Sequence, residues 1–155
     1  MIKRAASRRI HVLCTAERIV EADPARVWML VADPARVGEW AAVATVGFMG
    51  TELPKSGQVV FVRTRRWQRS RSARRVEVEE WDAGAGYSCK LGSYRLADDV
   101  TFGVEVRPEP AGEGVGTRIK LTQRMETSPQ LATWLRAYVD RRLQRLIDRI
   151  ERATR

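Results

Sequence analysis

The sequence is poor in the residues that hold metals and run redox or acid–base chemistry. Its 155 residues include one histidine, His11, and two cysteines, Cys14 and Cys89, which lie 75 positions apart. That excludes zinc ribbons, HExxH helices and Cys-x-x-Cys redox pairs, and it leaves any histidine-dependent triad resting on one side chain. No metal site and no cofactor are expected. Long apolar runs are also missing: nothing approaches the ~20 residues of a membrane span. The opening MIKRAASRRIHVLCTAERIV has the basic-then-apolar order of a secretion signal, but its apolar stretch is short and meets Glu17 and Arg18. Two cysteines without an export signal point to the reducing cytoplasm. A chain this long buries roughly 68–70% of its unfolded surface without disulfides or metals, so a single domain over 1–155 is expected.

Lysine is scarce too. Of 28 basic residues only four are lysines (Lys3, Lys55, Lys90, Lys120) and 24 are arginines, against 19 acidic residues, for a net charge of +9. The arginines are spread along the whole chain, which fits a compositional bias better than selection for phosphate contacts. The one concentration is VRTRRWQRSRSARRV, residues 62–76, where Arg63, Arg65, Arg66, Arg69, Arg71, Arg74 and Arg75 surround Trp67. Basic residues interleaved with an aromatic suit single-stranded nucleic acid. No RRM, KH or helix-turn-helix pattern accompanies them, so a solvated hairpin is the favoured reading and nucleic acid the alternative.

What is present is a strand-rich pattern bracketed by helices. RIHVLCTAERIVE (9–21) alternates, with Ile10, Val12 and Cys14 on one face. The near-duplicates ADPARVW (22–28) and ADPARVG (32–38) each place an Asp cap before a Pro at the first helical position, predicting two short helices in succession. Strand signals then follow at 43–50, 58–67, 71–82, 85–96, 99–108 and 116–127, separated by Pro54, Gly57, Gly84, Gly86, Asp98, Asp99 and the stretch from Pro108 to Gly116. After Ser128-Pro129, Leu131, Leu135, Tyr138, Val139, Leu143, Leu146, Ile147 and Ile150 recur at helical spacing. Arg136, Arg141, Arg145, Arg149 and Arg152 occupy the other side of this amphipathic helix, whose apolar stripe needs a cover. The order is that of an α+β domain, not of βαβ units.

Several strings together resemble the START-like helix-grip superfamily (SRPBCC), and within it the polyketide cyclase/dehydrase and lipid-transport group. They are EADPARVWMLVADPARVGEW, VEEWDAGAGYSCKL, GTRIKLTQRME and the helix from 129 to 155. The resemblance covers nearly the whole chain, but each string is structural and none is a chemical motif. It implies a helix-grip fold: a seven-stranded curved antiparallel sheet wrapped around a long C-terminal helix, with two short helices between strands 1 and 2. It also implies a hydrophobic cavity for a lipid, sterol, polyketide or aromatic ligand.

Within that frame the expected lining is Trp40, Phe61, Tyr94, Phe102, Gln123, Met125, Leu135 and Tyr138. The competing reading for the apolar ones is ordinary core packing. Family cyclases hold their substrates with polar pocket groups, for which Tyr94, Arg95, Gln123 and Arg124 are the nearest candidates. No residue is assigned a catalytic role: Glu77 and Glu79 pattern as surface charge, His11 has no orienting acid beside it, and GEGVG (112–116) has the wrong spacing for a dinucleotide loop and leads into a strand. The expected function is binding of a hydrophobic small molecule, by a monomer or homodimer. The alternatives are a polyketide cyclase/aromatase-type enzyme and an RNA- or ribosome-associated factor using residues 63–75.

Overall fold

The computed structural model describes residues 8–41, 43–49, 57–64 and 74–155, with backbone alone for 43–49 and 61–64. Seven strands form one antiparallel sheet in the order β1-β7-β6-β5-β4-β3-β2. They are β1 (Ile10–Val20), β2 (Val43–Met49), β3 (Val59–Thr64), β4 (Arg74–Asp82), β5 (Gly86–Gly92), β6 (Asp98–Ala111) and β7 (Gly114–Thr127). Strands β2 to β7 form a meander, and β1 closes onto its far end by pairing with β7 from Ile10↔Thr127 to Val20↔Thr117. The curved sheet wraps around the C-terminal helix α2 (Pro129–Thr154).

The alternation in β1 decides its two faces. Val12, Cys14 and Ala16 are buried while His11, Leu13, Thr15 and Glu17 face water. The duplicated Asp-Pro strings are two helix starts. Asp23 accepts a hydrogen bond from the Ala25 amide at 2.7 Å to open α1 (Pro24–Ala32), and Asp33 accepts from Ala35 at 2.9 Å to open the second helix. Only the first is an α-helix. It carries Val27, Leu30 and Val31 into the core, whereas the second copy, with Gly38 where the first has Trp28, winds as a 3₁₀ helix over Pro34–Glu39.

Strands β6 and β7 run further than their sequence signals, through Pro108 and Pro110 to a two-residue turn at Gly112-Glu113. The reason is positional. The Val106 N–H points towards β5 and binds the Ala85 carbonyl at 2.7 Å, and β5 starts at Gly86, opposite Glu105. Pro108 and Pro110 share that orientation beyond the end of β5, so the N–H each lacks would have met no strand. Gly112 has φ 57°, as the first position of a type II′ turn requires.

Helix α2 buries Leu135, Val139, Leu143, Leu146, Ile147 and Ile150 against the sheet. Ser128 occupies the N-cap without a side-chain hydrogen bond, and Pro129 supplies the pre-set first turn. Side chains then fix the helix in place. Arg18 on β1 bonds Asp148, Glu151 (3.1 Å) and Gln144 (3.3 Å), while Arg26 of α1 donates to the Arg155 carbonyl at 3.2 Å. No helix among the described residues is long and apolar enough to cross a membrane.

Candidate ligand site between the sheet and the C-terminal helix

The register of the sheet lines up one buried row under α2. Cys14 faces Gln123, Gln123 faces Phe102, Phe102 faces Cys89 and Cys89 faces Val78, all five side chains buried. One step towards the α1 side lies a second row of Ala16, Leu121, Val104, Tyr87 and Trp81. Met125 and Val12, paired across β7 and β1, continue the surface in the other direction.

Trp40, at the end of the 3₁₀ helix, closes this layer. Its backbone is turned inward by the Val37 carbonyl, which accepts from both Trp40 (3.3 Å) and Ala41 (2.8 Å). The indole is 2% exposed and stacks on Phe102, centroids 6.3 Å apart and planes at 24°. Its Nε1–H has no hydrogen-bond partner among the described residues.

Gln123 is the polar residue in the first row. Its side-chain oxygen accepts from Arg142 Nη1 at 2.9 Å, and its amide nitrogen has only the Met125 sulfur, at 4.0 Å. Arg142 was not among the expected site residues. Its position three after Val139 and seven after Leu135 sets it at the edge of the buried stripe, and the spacing alone does not say whether it turns outward or inward.

Of the eight expected lining residues, Trp40, Phe102, Gln123, Met125 and Leu135 are buried together beneath α2. Phe61 sits in β3 opposite Gly47 and Arg75, and its side chain lies outside the described set. Tyr94 and Tyr138 are on the exterior instead, 40% and 53% exposed. Tyr138 lies beside the buried stripe of α2 and stacks on Trp134 at 5.5 Å, while Tyr94 is in the β5–β6 connection beneath the Arg74 guanidinium, 3.5 Å from its ring centre.

Burial silences the titratable groups of the layer. Loss of solvent, helped by Asp140, pushes the Cys14 thiol up to about 11, and burial with Glu79 pushes Cys89 up to about 12. Both are protonated at neutral pH, so neither is a ready nucleophile or metal ligand. Burial likewise raises the Tyr87 phenol, whose hydroxyl donates to the Val31 carbonyl at 2.6 Å. The ring belongs to an aromatic cluster with Trp28 and Trp81, centroids 5.1 to 6.2 Å apart, which joins α1 to β4 and β5. His11 is on the outer face, 3.4 Å from Glu126. No three His, Cys, Asp or Glu side chains among the described residues gather as a metal site.

Most of the basic run lies outside the described residues, since 65–73 are not among them. Its described end is engaged within the chain. Arg74 donates to the Ser93 carbonyl at 2.8 Å besides covering Tyr94, and Arg75 is 3.8 Å from Glu77.

An antiparallel sheet gripping a C-terminal helix, with two short helices between its first two strands, defines a START/Bet v 1-like helix-grip protein. Residues 11–154 match the family described as "Polyketide cyclase / dehydrase and lipid transport", and the chain belongs to that family. Among solved structures it is similar to truncated norcoclaurine synthase from Thalictrum flavum, with TM-score 0.67, 10% identity and 94% of each chain covered. The same enzyme in complex with dopamine and hydroxybenzaldehyde matches with TM-score 0.65 and 11% identity, covering 99% of this chain and 93% of that one. Ara h 8.0201 matches with TM-score 0.63 and 16% identity, covering 93% and 97%. At these identities the likeness is one of fold. No curated protein matches the chain significantly.

Proposed function

We propose that this protein binds a hydrophobic small molecule, a lipid, polyketide or aromatic metabolite, between the sheet and α2, and holds it without chemistry. The observation that carries the reading is the layer under α2. There an apolar wall of Phe102, Met125 and Leu135 is interrupted by polar groups from three different elements, Trp40, Gln123 and Arg142. A small number of placed polar groups in an apolar surround is how ligand sites orient their contents. Family membership supports the same class of ligand. The proposed lining is Trp40, Phe102, Gln123, Met125 and Leu135, with Phe61 on the β3 side and Tyr94 and Tyr138 at the rim.

Binding is preferred to a cyclase-type reaction because Cys14, Cys89 and Tyr87 are all held protonated, leaving them unable to take a proton near neutral pH. The two unpaired thiols support residence in the cytoplasm, as a monomer or homodimer. An RNA-associated role through residues 63–75 is the less favoured alternative, since Arg74 and Arg75 already have partners in the chain.

The test is extraction of natively purified protein with organic solvent, followed by mass spectrometry, together with titration of the neutral fluorophore N-phenyl-1-naphthylamine. The expected result is saturable binding of one fluorophore per chain and a co-extracted hydrophobic compound. Absence of both would overturn the reading.

A further inference from the structure

We infer that the ligand held under α2 carries a carboxylate, and that this group enters between Trp40, Gln123 and Arg142. The inference rests on the binding reading above and adds the chemistry of one end of the ligand.

The reasoning is a count of donors against acceptors. The Trp40 indole is a donor only; it is 2% exposed and its Nε1–H meets no acceptor among the described residues. Gln123 is 6% exposed, and its one strong contact uses its oxygen, so its amide hydrogens face nothing better than a sulfur at 4.0 Å. Arg142 is donor-only as well, with five N–H groups, of which the Gln123 contact engages one. No carboxylate pairs with it among the described residues. In the same row Cys14 and Cys89 stay protonated, and Asp140, the carboxylate beside Cys14, is engaged with that thiol and forms no ion pair with Arg142 among the described residues.

These groups belong to one place. Phe102 is the cross-strand partner of Gln123 and also the ring on which Trp40 stacks, so the indole and the amide both neighbour one phenyl group. Donor groups from three elements are thus linked through Gln123 and Phe102, Arg142 by its hydrogen bond to the amide oxygen and Trp40 by its stack on the ring. Only an acceptor can satisfy Trp40 and Arg142 together, and a negative charge on it meets the guanidinium. A carboxylate has two acceptor oxygens for this task, and the alkyl or aromatic remainder of the ligand has Phe102, Met125 and Leu135 to lie on.

The experiment displaces N-phenyl-1-naphthylamine with three probes of equal chain length, used below micelle-forming concentrations: dodecanoate, methyl dodecanoate and 1-dodecanol. Dodecanoate is expected to displace at a concentration about tenfold lower than the two neutral probes, as a charge-assisted hydrogen bond implies. Arg142→Met and Trp40→Phe should each shrink that ratio severalfold. In amide correlation spectra, the indole N–H signal that Trp40→Phe removes should move downfield when dodecanoate is added to the unsubstituted protein.

Equal displacement by all three probes would overturn the carboxylate inference and leave the binding reading standing. A preference for dodecanoate that survives both substitutions would overturn the assignment to these residues. Failure of the fluorophore itself to bind would bring down the binding reading. If Trp40→Phe does not fold by circular dichroism, Arg142→Met still decides the matter.

Discussion

Single residues in this chain are constrained by neighbours that lie far off in sequence. Gly116 is an example: a Cβ there would lie 2.8 Å from the Ala111 Cβ and 2.9 Å from the Val20 carbonyl oxygen, so Gly116→Ala should cost roughly 2 kcal/mol in urea unfolding. The cysteines are constrained by burial. Since their thiols remain protonated in the fold up to about 11 and about 12, the unfolded chain ionises first as pH rises. The thiols' contribution to stability is therefore fully present below about pH 9 and is lost as pH climbs through about 11 and about 12, and denaturant midpoints between pH 7 and 11 should show the start of that decline. At pH 8 neither thiol should react with Ellman's reagent until guanidinium is added. The carboxylates act at the opposite end. Arg18 holds Asp148, and Arg118 holds Glu109, below the usual carboxylate range, so their stabilisation is present above that range and is lost as pH falls through the lowered values. Arg18→Leu should flatten the acid limb of the stability profile. Burial and register set all of these effects, and neither can be read from a residue's immediate neighbours in sequence.

Individual elements show where local chemistry suffices. Asp23 and Asp33 cap as their Asp-Pro strings predict, so Asp23→Ala should cost about 1 kcal/mol. Ser128 makes no side-chain cap bond, and Ser128→Ala should change the unfolding free energy by only a few tenths of a kcal/mol. The backbone is extended at both caps, so the contrast lies in the side chains and not in the backbone. The apolar stripe of α2 is legible from spacing alone. Leu143 and Ile147, both fully buried, should each cost about 2–5 kcal/mol on substitution by Ala, read as a shift in melting temperature. The same periodicity does not identify Arg142, since a charged residue at the stripe's edge can turn outward or reach inward, and Gln123 on the facing strand makes the difference.

For the molecule as a whole, the +9 charge remains a property of composition spread over the surface, with arginines recruited singly as ties: Arg18 to α2, Arg74 to the β5–β6 connection, Arg118 across β1 and β6. The sequence by itself determined the class, the order of strands and helices, and the inward stripe of α2, because hydrophobic periodicity and capping residues act over a few neighbouring positions. It also marked Trp40, Phe102, Met125 and Leu135, large apolar groups that any core would take in. Tertiary structure alone decided which of those groups meet. Placing Gln123 beside Phe102, Trp40 over the same ring and Arg142 above the amide requires the β6–β7 register and the turn of the 3₁₀ helix. It likewise put Tyr94 and Tyr138 outside, since a residue one step around a helix, or in a connection beyond a strand's end, faces water however apolar its ring. Contacts between residues up to a hundred positions apart exist only once the sheet has closed, and the candidate site is made of such contacts.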